Sequence, residues 1–586
     1  MCGIIGVKGK SNSSQLVLKG LKRMEYRGYD SWGIAMANRK LKVVKEVGKI
    51  SDVAIRPFII DGSQLAIGHT RWATHGLVTK ENAHPHLSCN GEVAIVHNGI
   101  IENYQELKKE LIEKGHKFRS ATDSETIAHL IEENLNKGFP EAVRLAFSRL
   151  QGRNAMCAIS TSSHELVGAR NGSPLIVGLN DTDAFIASDI PAFLENTRNI
   201  AYLDDLEMAV FDKSVKFFDV MTGKPVQKKI EHISWNIEQA KKGDYPHYMI
   251  KEILEQTQSI ERAAKQDKRQ LLGIAKEIRK AKGSFLVACG TSGYAAMEAQ
   301  YFFSGIAGKH LNSVVGSEFS SFRHFLTPKS LIIAISQSGE TADTLEAVDV
   351  ARKMKSRVIS IVNVMGSSLA RQSDHFFLTN AGPEICVCST KAFTSQLSVL
   401  LLLAYASAGK LSEGISLLQD TADQVKLMLN DGFLAKLRKL SASLAQKDDI
   451  YVIGRGLNYP IALEAALKIK EVSYIHAEGF AAGELKHGVI ALVEKGTPCI
   501  AFVSNDEHRQ ATLSGAIEMK SRGGFIIGIS PEQDEAFDAW IPVPDAGNAQ
   551  PLVNVIPAQL LAYYLAVARH LDPDKPRNLA KSVTVK

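Results

Sequence analysis

The sequence predicts a first α+β domain with a layered αββα architecture, followed by two α/β domains with parallel sheets. Over about the first 225 residues, short apolar strands alternate with turns and helical segments, as at Gly91–Val96 and Ala155–Ser160. After a polar stretch that ends at Lys241–Pro246, the order changes to strand, glycine-rich turn and helix, repeated several times. That order is typical of a parallel sheet covered by helices.

An internal repeat indicates that the second part of the chain holds two related domains. Met354–Arg357 recurs as Met519–Arg522, 165 residues later, and an apolar strand follows each copy at once. At the same spacing, the strand that ends at Ala288 corresponds to the strand that ends at Ile453. Identity together with strand order in register favours a duplication over chance. The predicted domains are 1–225, 246–430 and 440–575, with a linker at 226–245 and a C-terminal tail at 576–586.

Composition excludes several classes of protein. The 586 residues are 45% hydrophobic and 23% charged, which excludes a mainly disordered or coiled-coil chain. The net charge of +6 is too small to indicate a nucleic-acid binder. The seven cysteines form no CxxC pair, so we expect a reducing cytoplasm and neither a disulfide framework nor a zinc ribbon. The apolar run Val399–Ala406 is far shorter than the roughly 20 residues of a membrane helix, and we see no secretory signal.

The second residue is a candidate nucleophile. A small residue at position two normally permits removal of Met1, which would make Cys2 the N-terminal residue. The thiol and a free α-amine would then share one residue, and an amine with an ordinary pKa of about 7.7 to 8.0 can act as a base at neutral pH. The alternative is a buried small apolar residue on a first strand, which the dipeptide taken alone favours.

Four further segments accompany Cys2 in the first domain. They are Arg27–Ser31, Thr70–Gly76, His97–Asn103 and Thr122–Glu125. Together with Met1–Gly6 and in this order, they resemble the class II glutamine amidotransferase domain, an N-terminal-nucleophile hydrolase. The resemblance implies that the Cys2 thiolate attacks the side-chain amide of glutamine and releases ammonia.

The same resemblance implies a role for individual residues. Arg71 would bind the α-carboxylate of glutamine and Asp123 its α-ammonium. Asn98 and the backbone N–H of Gly99 would form the oxyanion hole. Taken alone, each of these residues has an ordinary structural explanation, since Arg and Asp side chains are usually solvated and an Asn-Gly pair usually makes a hairpin turn. The other implied glutamine-site residues are Trp72, at the gate of an ammonia tunnel, Thr74 and His75.

A second candidate site follows the strand Leu331–Ile335. The strand runs into the hydroxyl-rich, glycine-containing segment Ser336–Thr341, and a helix is predicted at Ala342–Met354. A loop of this kind at a helix N-terminus predicts a phosphate site. It lacks the Gly-Lys-Ser/Thr ending of a nucleoside triphosphate loop, so a sugar phosphate fits better. The alternative is an ordinary helix cap by Ser336 or Ser338.

Further motifs accompany this loop. They are Cys289–Gly293, predicted as a companion loop after the previous strand, together with Lys391–Phe393, Glu464–Glu471, Ala482–Gly488 and Pro576–Val585. Together they resemble the sugar-isomerase (SIS) fold and the synthase half of the glutamine–fructose-6-phosphate aminotransferase (isomerizing) family. The resemblance covers nearly the whole chain, from Cys2 to Val585. The sugar-phosphate site that it implies consists of Ser292, Ser336, Gln337, Ser338, Thr341, Val387 and Ala580.

The resemblance also implies residues for the sugar chemistry. Glu471 would move a proton between C1 and C2, with Lys468 assisting at a sugar hydroxyl. Glu464, Lys468 and Glu471 share one helix face by spacing, for which a salt-bridged surface face is the alternative. His487 would open the sugar ring. Lys581 would form a Schiff base with open-chain fructose 6-phosphate, whereas a lysine near a C-terminus is more often a solvated charge.

The implied activity is transfer of the amide nitrogen of glutamine to fructose 6-phosphate with isomerisation, giving glucosamine 6-phosphate and glutamate. The resemblance implies no metal or organic cofactor, a cytoplasmic homodimer, two small-molecule substrates and no nucleic-acid or membrane partner. One rival is an amidotransferase that uses phosphoribosyl pyrophosphate, but we find no phosphoribosyltransferase motif. The other is a non-catalytic SIS sugar-phosphate sensor, which would need neither Cys2, Glu471 nor Lys581.

Overall fold

The structure is a computed structural model that describes residues 2–37, 40–60, 62–233 and 241–584. Within these residues the chain forms two compact units. The first unit holds residues 2–233 together with 580–584, and the second holds residues 241–579.

The first unit is built on two antiparallel sheets. Its strands are β1 (Gly3–Gly9), β2 (Ser31–Ala37), β3 (Leu41–Val47), β4 (Leu65–Arg71), β5 (His86–Leu87), β6 (Val93–Gly99), β7 (Asn154–Ser160), β8 (Leu166–Asn171), β9 (Ile176–Leu179), β10 (Asp183–Ala187), β11 (Asn199–Tyr202), β12 (Glu207–Phe211), β13 (Val215–Asp219), β14 (Pro225–Val226) and β15 (Glu231–His232). Its helices are α1 (Ser13–Arg23), α2 (Tyr104–Glu113), α3 (Glu125–Glu132) and α4 (Phe139–Ser148). Spatial order is β15-β11-β9-β10-β1-β4-β2-β3 in one sheet and β14-β13-β12-β8-β7-β6-β5 in the other.

The two sheets are stacked between helices. Helix α1 packs on β1 and β4, while α3 and α4 pack on β6 and β8 of the other sheet. Consecutive strand residues point to opposite faces, so Ile4 of β1 packs between the sheets and Ile5 packs in the cluster under α1. A third apolar cluster lies between the second sheet and its helices, with Ile95 and Ile127 among its members. The predicted αββα layering is confirmed.

The first unit extends beyond the predicted boundary at residue 225. Strand β14 pairs with β13, and β15 pairs with β11, so residues up to 233 belong to the two sheets. Strands of two residues are too short to produce an apolar alternation, which is why the sequence pattern placed a linker there. The part of the predicted linker at 234–240 lies outside the described residues.

The second unit holds two parallel sheets with covering helices. Its strands are β16 (Ser284–Ala288), β17 (Asn312–Val315), β18 (Leu331–Ser336), β19 (Arg357–Val362), β20 (His375–Leu378), β21 (Asp449–Gly454), β22 (His476–Ala481), β23 (Pro498–Phe502), β24 (Phe525–Ser530) and β25 (Ala539–Pro542). Its helices are α5 (Tyr248–Leu254), α6 (Gln256–Ala264), α7 (Lys268–Lys280), α8 (Gly290–Ala307), α9 (Ala342–Lys353), α10 (Ser368–Gln372), α11 (Lys391–Ser407), α12 (Leu411–Met428), α13 (Asp431–Leu444), α14 (Asn458–Ser473), α15 (Arg509–Lys520) and α16 (Gln550–Ala568).

The two parallel sheets have the same topology. Spatial order is β17-β16-β18-β19-β20 in one and β22-β21-β23-β24-β25 in the other. Numbered within each copy, both orders are 2-1-3-4-5, so each strand of the first copy has a counterpart in the second. This agreement bears out the duplication that the 165-residue spacing indicated.

The two α/β copies share one core. A single buried apolar cluster includes Leu286 of β16, Val452 of β21 and most of α16. Every residue of α11 is buried, including the run Val399–Ala406. Among the described residues, Gly547–Ala568 is long and apolar enough to cross a membrane, but most of this segment is buried inside the structure. Such burial is that of a core helix.

Candidate active site

Cys2 lies directly before β1, next to the end of β4. Gly3 pairs with Thr70, which brings the residue after β4 close to the residue before β1. The Cys2 Sγ accepts a hydrogen bond from the backbone N–H of Trp72 at 3.3 Å. The structure therefore brings together the predicted nucleophile and the predicted gate residue.

The backbone of Cys2 is held by two side chains. Asn98 Nδ2 donates to the Cys2 carbonyl oxygen at 2.9 Å, and Arg27 Nε donates to the same oxygen at 3.4 Å. Arg27 is nearly buried and forms an ion pair of 2.9 Å with Asp189. Arg27 belongs to a motif that the sequence singled out. Asp189 has no such signal, because it is 162 residues away in the chain.

The orientation of the Asn98 amide follows from its neighbour His69. Burial lowers the pKa of His69 to about 3, so its ring is neutral. The Nε2 atom of His69 lies 3.1 Å from Asn98 Oδ1 and 3.0 Å from the His97 carbonyl oxygen, so it must carry the ring hydrogen and donate. Asn98 then presents its NH₂ group to the Cys2 carbonyl. Asn98 is thus placed to position Cys2, a role that the sequence pattern did not indicate.

Cys2 itself sits in a mixed electrostatic environment. Burial raises the pKa of the Cys2 thiol, whereas the Trp72 N–H and the charge of Arg71 lower it. Burial is the largest of these effects, so the thiol needs a base to become a nucleophile. The α-amine predicted for a processed N-terminus would be that base.

Arg71 organises the segment that follows β4. Its guanidinium donates to the carbonyl oxygens of Leu77 at 3.2 Å and Gly76 at 3.1 Å, and also to that of His75. Within this segment Thr74 is exposed, while Trp72 and His75 are half-buried. Arg71 therefore holds the carbonyl groups of this segment in place. Burial lowers the pKa of its guanidinium, and the nearby charges, that of Asp123 among them, oppose this effect.

Asp123 is buried directly before α3. Its Oδ2 accepts the backbone N–H of Ile101 at 2.8 Å. The next residue, Ser124, has its Oγ 2.8 Å from His97 Nδ1, and His97 Nε2 lies 2.9 Å from Asn154 Oδ1. Both ring nitrogens of His97 are thus engaged, which agrees with a structural role for that histidine.

Gly99 has a backbone that requires glycine. Its φ is +127°, and a Cβ at this position would lie 2.1 Å from the carbonyl oxygen of Arg153. Residues with a Cβ disfavour this conformation, and the Arg153 carbonyl, directly before β7, cannot move without disturbing the start of that strand. The glycine therefore fixes the direction of the N–H that is predicted to stabilise the oxyanion.

We expect Gly99→Ala to lower glutaminase activity by roughly 10²-fold, the effect of losing one oxyanion donor. The measurement is glutamate release from glutamine, with thermal unfolding recorded alongside. Gly138→Ala is the matched control, because Gly138 also has a positive φ of +91° but a Cβ there meets open space. Equal glutaminase activity in the two variants would contradict an oxyanion role for the Gly99 N–H.

The second candidate site lies where the order of the first parallel sheet reverses. Strands β16 and β18 are neighbours in the sheet, but β17 lies on the far side of β16. In open α/β sheets, ligands bind outside the carboxyl ends of the two strands at such a reversal. The predicted segments after Ala288 and after Ile335 therefore meet at the place where a ligand is expected.

One of these segments differs from its predicted form. Cys289–Gly293 was expected as a loop, but α8 begins at Gly290, so most of the segment is the first helical turn. The φ of +56° at Gly290 lets the chain turn from strand to helix at once. Ser292 thus lies on the first turn, and its Oγ accepts Gln396 Nε2 at 3.0 Å.

The segment Ser336–Thr341 forms a compact loop before α9. Ser336 Oγ accepts the N–H of Gly339 at 3.0 Å and lies 3.1 Å from Thr341 Oγ1. Ser338 Oγ accepts the N–H of Glu340 at 3.2 Å. A hydroxyl that accepts an N–H can still donate its own hydrogen. Several hydroxyls thus converge at the N-terminus of α9, an arrangement suited to an anion.

The loop 336–341 is held by the segment that joins β19 to α10. The Gln337 carbonyl oxygen accepts the N–H of Asn363 at 3.1 Å. Gly339 has a φ of +65°, and a Cβ there would lie 2.1 Å from Ser367 Oγ. Glu340 Oε1 accepts the N–H of Ser368 at 2.7 Å. The loop is therefore held in one shape by contacts on its outer side.

The charged row on α14, which consists of Glu464, Lys468 and Glu471, is largely buried. Lys468 forms ion pairs with Glu464 at 3.5 Å and with Glu471, and the exposed fractions of the three side chains are 0%, 0% and 19%. The alternative of a solvated surface face is thus wrong. Burial raises the pKa of Glu464 to about 8. Burial alone would lower the pKa of Lys468, but the two carboxylates outweigh it and keep the amine charged.

The row on α14 lies next to the sequence neighbours of two predicted sugar-site residues, Ser292 and Val387. Thr291, on the first turn of α8, donates from its Oγ1 to Glu464 Oε1 at 3.3 Å. The thiol of Cys388 lies close to Lys468 and Glu471, and burial raises its pKa. The adjacent Val387 is buried and donates its N–H to the carbonyl oxygen of Asp574 at 3.1 Å.

The remaining predicted residues are His487, Ala580 and Lys581. His487 is exposed on the helical turn Ala482–His487, which follows β22. Ala580 and Lys581 are half-buried and belong to the first compact unit, whereas the other predicted sugar-site residues belong to the second.

Known proteins match both parts of the chain. Residues 69–195 match the glutamine amidotransferase domain family, and residues 277–406 and 443–569 each match the SIS domain family. The chain is thus a glutamine amidotransferase domain joined to two SIS domains. These matches confirm the predicted fold class and the predicted repeat.

Relatives identify the family. The chain is 45% identical to the glutamine–fructose-6-phosphate aminotransferase (isomerizing) of Thermococcus kodakarensis and 42% identical to that of Methanothermobacter thermautotrophicus, over 100% of each chain. A solved C-terminal domain of glucosamine-fructose-6-phosphate aminotransferase from Francisella tularensis is 36% identical, with a TM-score of 0.53, and covers 57% of this chain and 99% of its own. The chain belongs to the glutamine–fructose-6-phosphate aminotransferase (isomerizing) family.

Proposed function

We propose that this chain transfers the amide nitrogen of glutamine to fructose 6-phosphate and isomerises the product to glucosamine 6-phosphate, with glutamate as the second product. The observation that carries the proposal is the presence, on one chain, of a cysteine whose thiol and carbonyl are both hydrogen-bonded and a buried carboxylate–lysine row that contacts the first turn of α8. Family membership over the full length supports the same activity.

In the glutaminase half, the Cys2 α-amine takes the thiol proton after removal of Met1. The thiolate attacks the amide carbon, and the developing oxyanion accepts hydrogen bonds from Gly99 N–H and the Asn98 amide. Arg71 and Asp123 hold the carboxylate and ammonium of glutamine by opposite charge. Ammonia leaves, and water then hydrolyses the thioester to glutamate.

In the sugar half, the loop of Ser336, Ser338 and Thr341 holds the 6-phosphate by hydroxyl and N–H donors. His487 assists ring opening. The neutral Lys581 amine adds to C2 and expels water to form a Schiff base, and ammonia then displaces the lysine. The Glu471 carboxylate removes a proton from C1 and returns it to C2, which gives the 2-amino aldose. Val387, Ala580, Ser292 and Gln337 complete the wall of this site in the proposal.

The reaction is tested by product analysis. With glutamine isotopically labelled at the amide nitrogen, we expect labelled glucosamine 6-phosphate and one glutamate per amino sugar. Absence of glucosamine 6-phosphate would reject the substrate assignment. Adding an excess of unlabelled ammonium tests internal passage of ammonia, because a protected transfer keeps the label in the product while free diffusion dilutes it.

We expect Lys581→Ala to abolish trapping of fructose 6-phosphate by borohydride. Borohydride reduces a Schiff base to a stable secondary amine, so the wild-type chain gains the mass of the reduced sugar phosphate at Lys581. Lys575→Ala, a lysine outside the proposed site, is the control and should label like the wild type. Labelling of the Lys581→Ala chain at another lysine would show that the amine is misassigned.

The expected assembly is a homodimer in the cytoplasm with glutamine and fructose 6-phosphate as its small-molecule partners. Light scattering coupled to size exclusion measures the mass of the particle directly, and a monomer at working concentration would contradict the dimer.

A further inference from the structure

A cluster of four metal-binding side chains lies in the first unit, apart from the residues of the glutamine site. It consists of Cys89, His116, His129 and Glu132. Cys89 is in the turn between β5 and β6, and His116 follows α2. His129 and Glu132 are three residues apart on α3, so they share one face of that helix. One donor atom from each of the four residues lies within 4.8 Å of the other three.

Four of the six separations between donor atoms match those of a tetrahedron around one ion, and the other two are within 4.8 Å. Cys89 Sγ lies 3.6 Å from His116 Nδ1 and 3.6 Å from His129 Nδ1. Glu132 Oε2 lies 3.3 Å from His116 Nδ1 and 3.5 Å from His129 Nδ1. A tetrahedral Zn²⁺ with bonds of about 2.3 Å to sulfur and about 2.0 Å to nitrogen and oxygen requires about 3.5 Å between S and N and about 3.3 Å between N and O.

The surroundings of the cluster are also those of a metal site. His116 Nε2 lies 2.9 Å from Glu133 Oε1, and His129 Nε2 lies 3.5 Å from Glu125 Oε1. Histidines that bind a metal commonly present their second ring nitrogen to a carboxylate in this way. Cys89 Sγ accepts the backbone N–H of Lys117 at 3.3 Å, a contact that stabilises a thiolate.

A network of hydrogen bonds alone explains the cluster poorly. If His116 donates its Nε2–H to Glu133, the Nδ1 of a neutral ring carries only a lone pair. That lone pair can accept the weak Cys89 S–H donor at 3.6 Å, but it also faces the Glu132 carboxylate oxygen at 3.3 Å, which places two acceptors against each other. A cation between them removes the repulsion. The alternative is a protonated imidazole, which would make the cluster an ion-pair network without metal.

We propose that Cys89, His116, His129 and Glu132 bind one Zn²⁺ ion. One thiolate, two imidazoles and one carboxylate form a ligand set that Zn²⁺ accepts, and they occupy all four positions of a tetrahedron. A site with no open position is structural rather than catalytic. The ion would link helix α3 to the β5–β6 turn and to the segment that directly follows α2.

The site has a consequence for the glutamine-binding residues. Helix α3 begins two residues after Asp123, whose carboxylate is held by Ile101 at the end of β6. The β5–β6 turn, which would carry Cys89 as a ligand, leads into the strand that ends at Gly99. The ion therefore joins the two segments that carry the oxyanion donor and the ammonium-binding carboxylate.

The first test is the metal content of the full chain, purified without a polyhistidine tag. Cys2→Ala is used as the background, because the Cys2 thiol and amine could chelate metal themselves. We expect about one zinc ion per chain by plasma mass spectrometry. Cys89→Ser should remove it, whereas Cys157→Ala, a buried cysteine of the same unit outside the cluster, should retain it. Equal zinc content in both variants would overturn the assignment.

The second test is zinc binding by the Cys2→Ala chain after its metal has been removed (the stripped chain). This measurement keeps all four proposed ligands, so it does not rely on a ligand variant that could fail to fold. We expect a zinc titration against a chelating indicator to show one tight site per chain, and Co²⁺ to give the visible ligand-field bands of tetrahedral coordination. Glu133→Gln should retain one site but weaken it by about 10- to 100-fold, since Glu133 only contacts a ligand. No tight zinc binding by the stripped chain would leave the cluster an ion-pair network and reject the proposal.

Discussion

The Cys2→Ala chain should lose glutamine-dependent synthesis of glucosamine 6-phosphate by at least roughly 10⁴-fold, because the proposed nucleophile, the thiol that accepts the Trp72 N–H, is removed. Synthesis from fructose 6-phosphate and added ammonia should persist, because no residue of the sugar chemistry is altered. The measurement compares the two nitrogen sources at saturating sugar phosphate.

Cys499→Ala is the matched control for this loss. Cys499 is a buried thiol on β23 of the second parallel sheet and belongs to neither proposed site. We expect it to keep both activities. Equal loss of the two activities in Cys2→Ala would indicate a general structural defect and would contradict two separate sites.

The second large effect is expected for Glu471→Gln. A general base contributes about 10²- to 10⁴-fold, so isomerisation should fall by that factor. Lys468 would keep Glu464 as a partner at 3.5 Å, so the buried amine would not be left without a carboxylate. The assay follows exchange of the sugar C1 hydrogen with deuterated solvent, which reports the proton transfer itself.

The control for Glu471→Gln is Glu478→Gln. Glu478 is exposed on β22, which follows α14, and it takes no part in the charged row. We expect wild-type exchange in that variant. If Glu471→Gln also exchanged hydrogen at the wild-type rate, another group would have to be the base.

The repeat and the strand-end loops could be predicted because they rest on local patterns. The strand predicted to end at Ala288 ends there, and the strands predicted to end at Ile335 and Ile453 each end one residue later. Each is a short apolar run bounded by turn residues, the pattern of a strand buried on both faces. The 165-residue repeat added a second, independent indication of the same order of strands along the chain.

Other features depend on contacts between distant segments, which spacing does not reveal. The face that carries Lys468 could be found from its spacing, but its burial depends on packing against other helices of the unit. The Asp189 ion pair with Arg27 joins two segments without a shared pattern. The zinc site that we propose was missed for the same reason, since its ligands come from three segments and only His129 and Glu132 leave a local signal.

The matching strand order of the two parallel sheets implies a division of labour between the copies. Helix α8 follows β16, and α14 follows the equivalent strand β21. In the first copy the strand ends carry hydroxyls suited to the fixed charge of a phosphate, while in the second the equivalent loop reads Ser504–Glu507 and places acids where an anion would bind. In the proposed mechanism the second copy instead supplies Glu471 on α14 for proton transfer. The two copies of one fold would then divide phosphate binding and proton transfer between them.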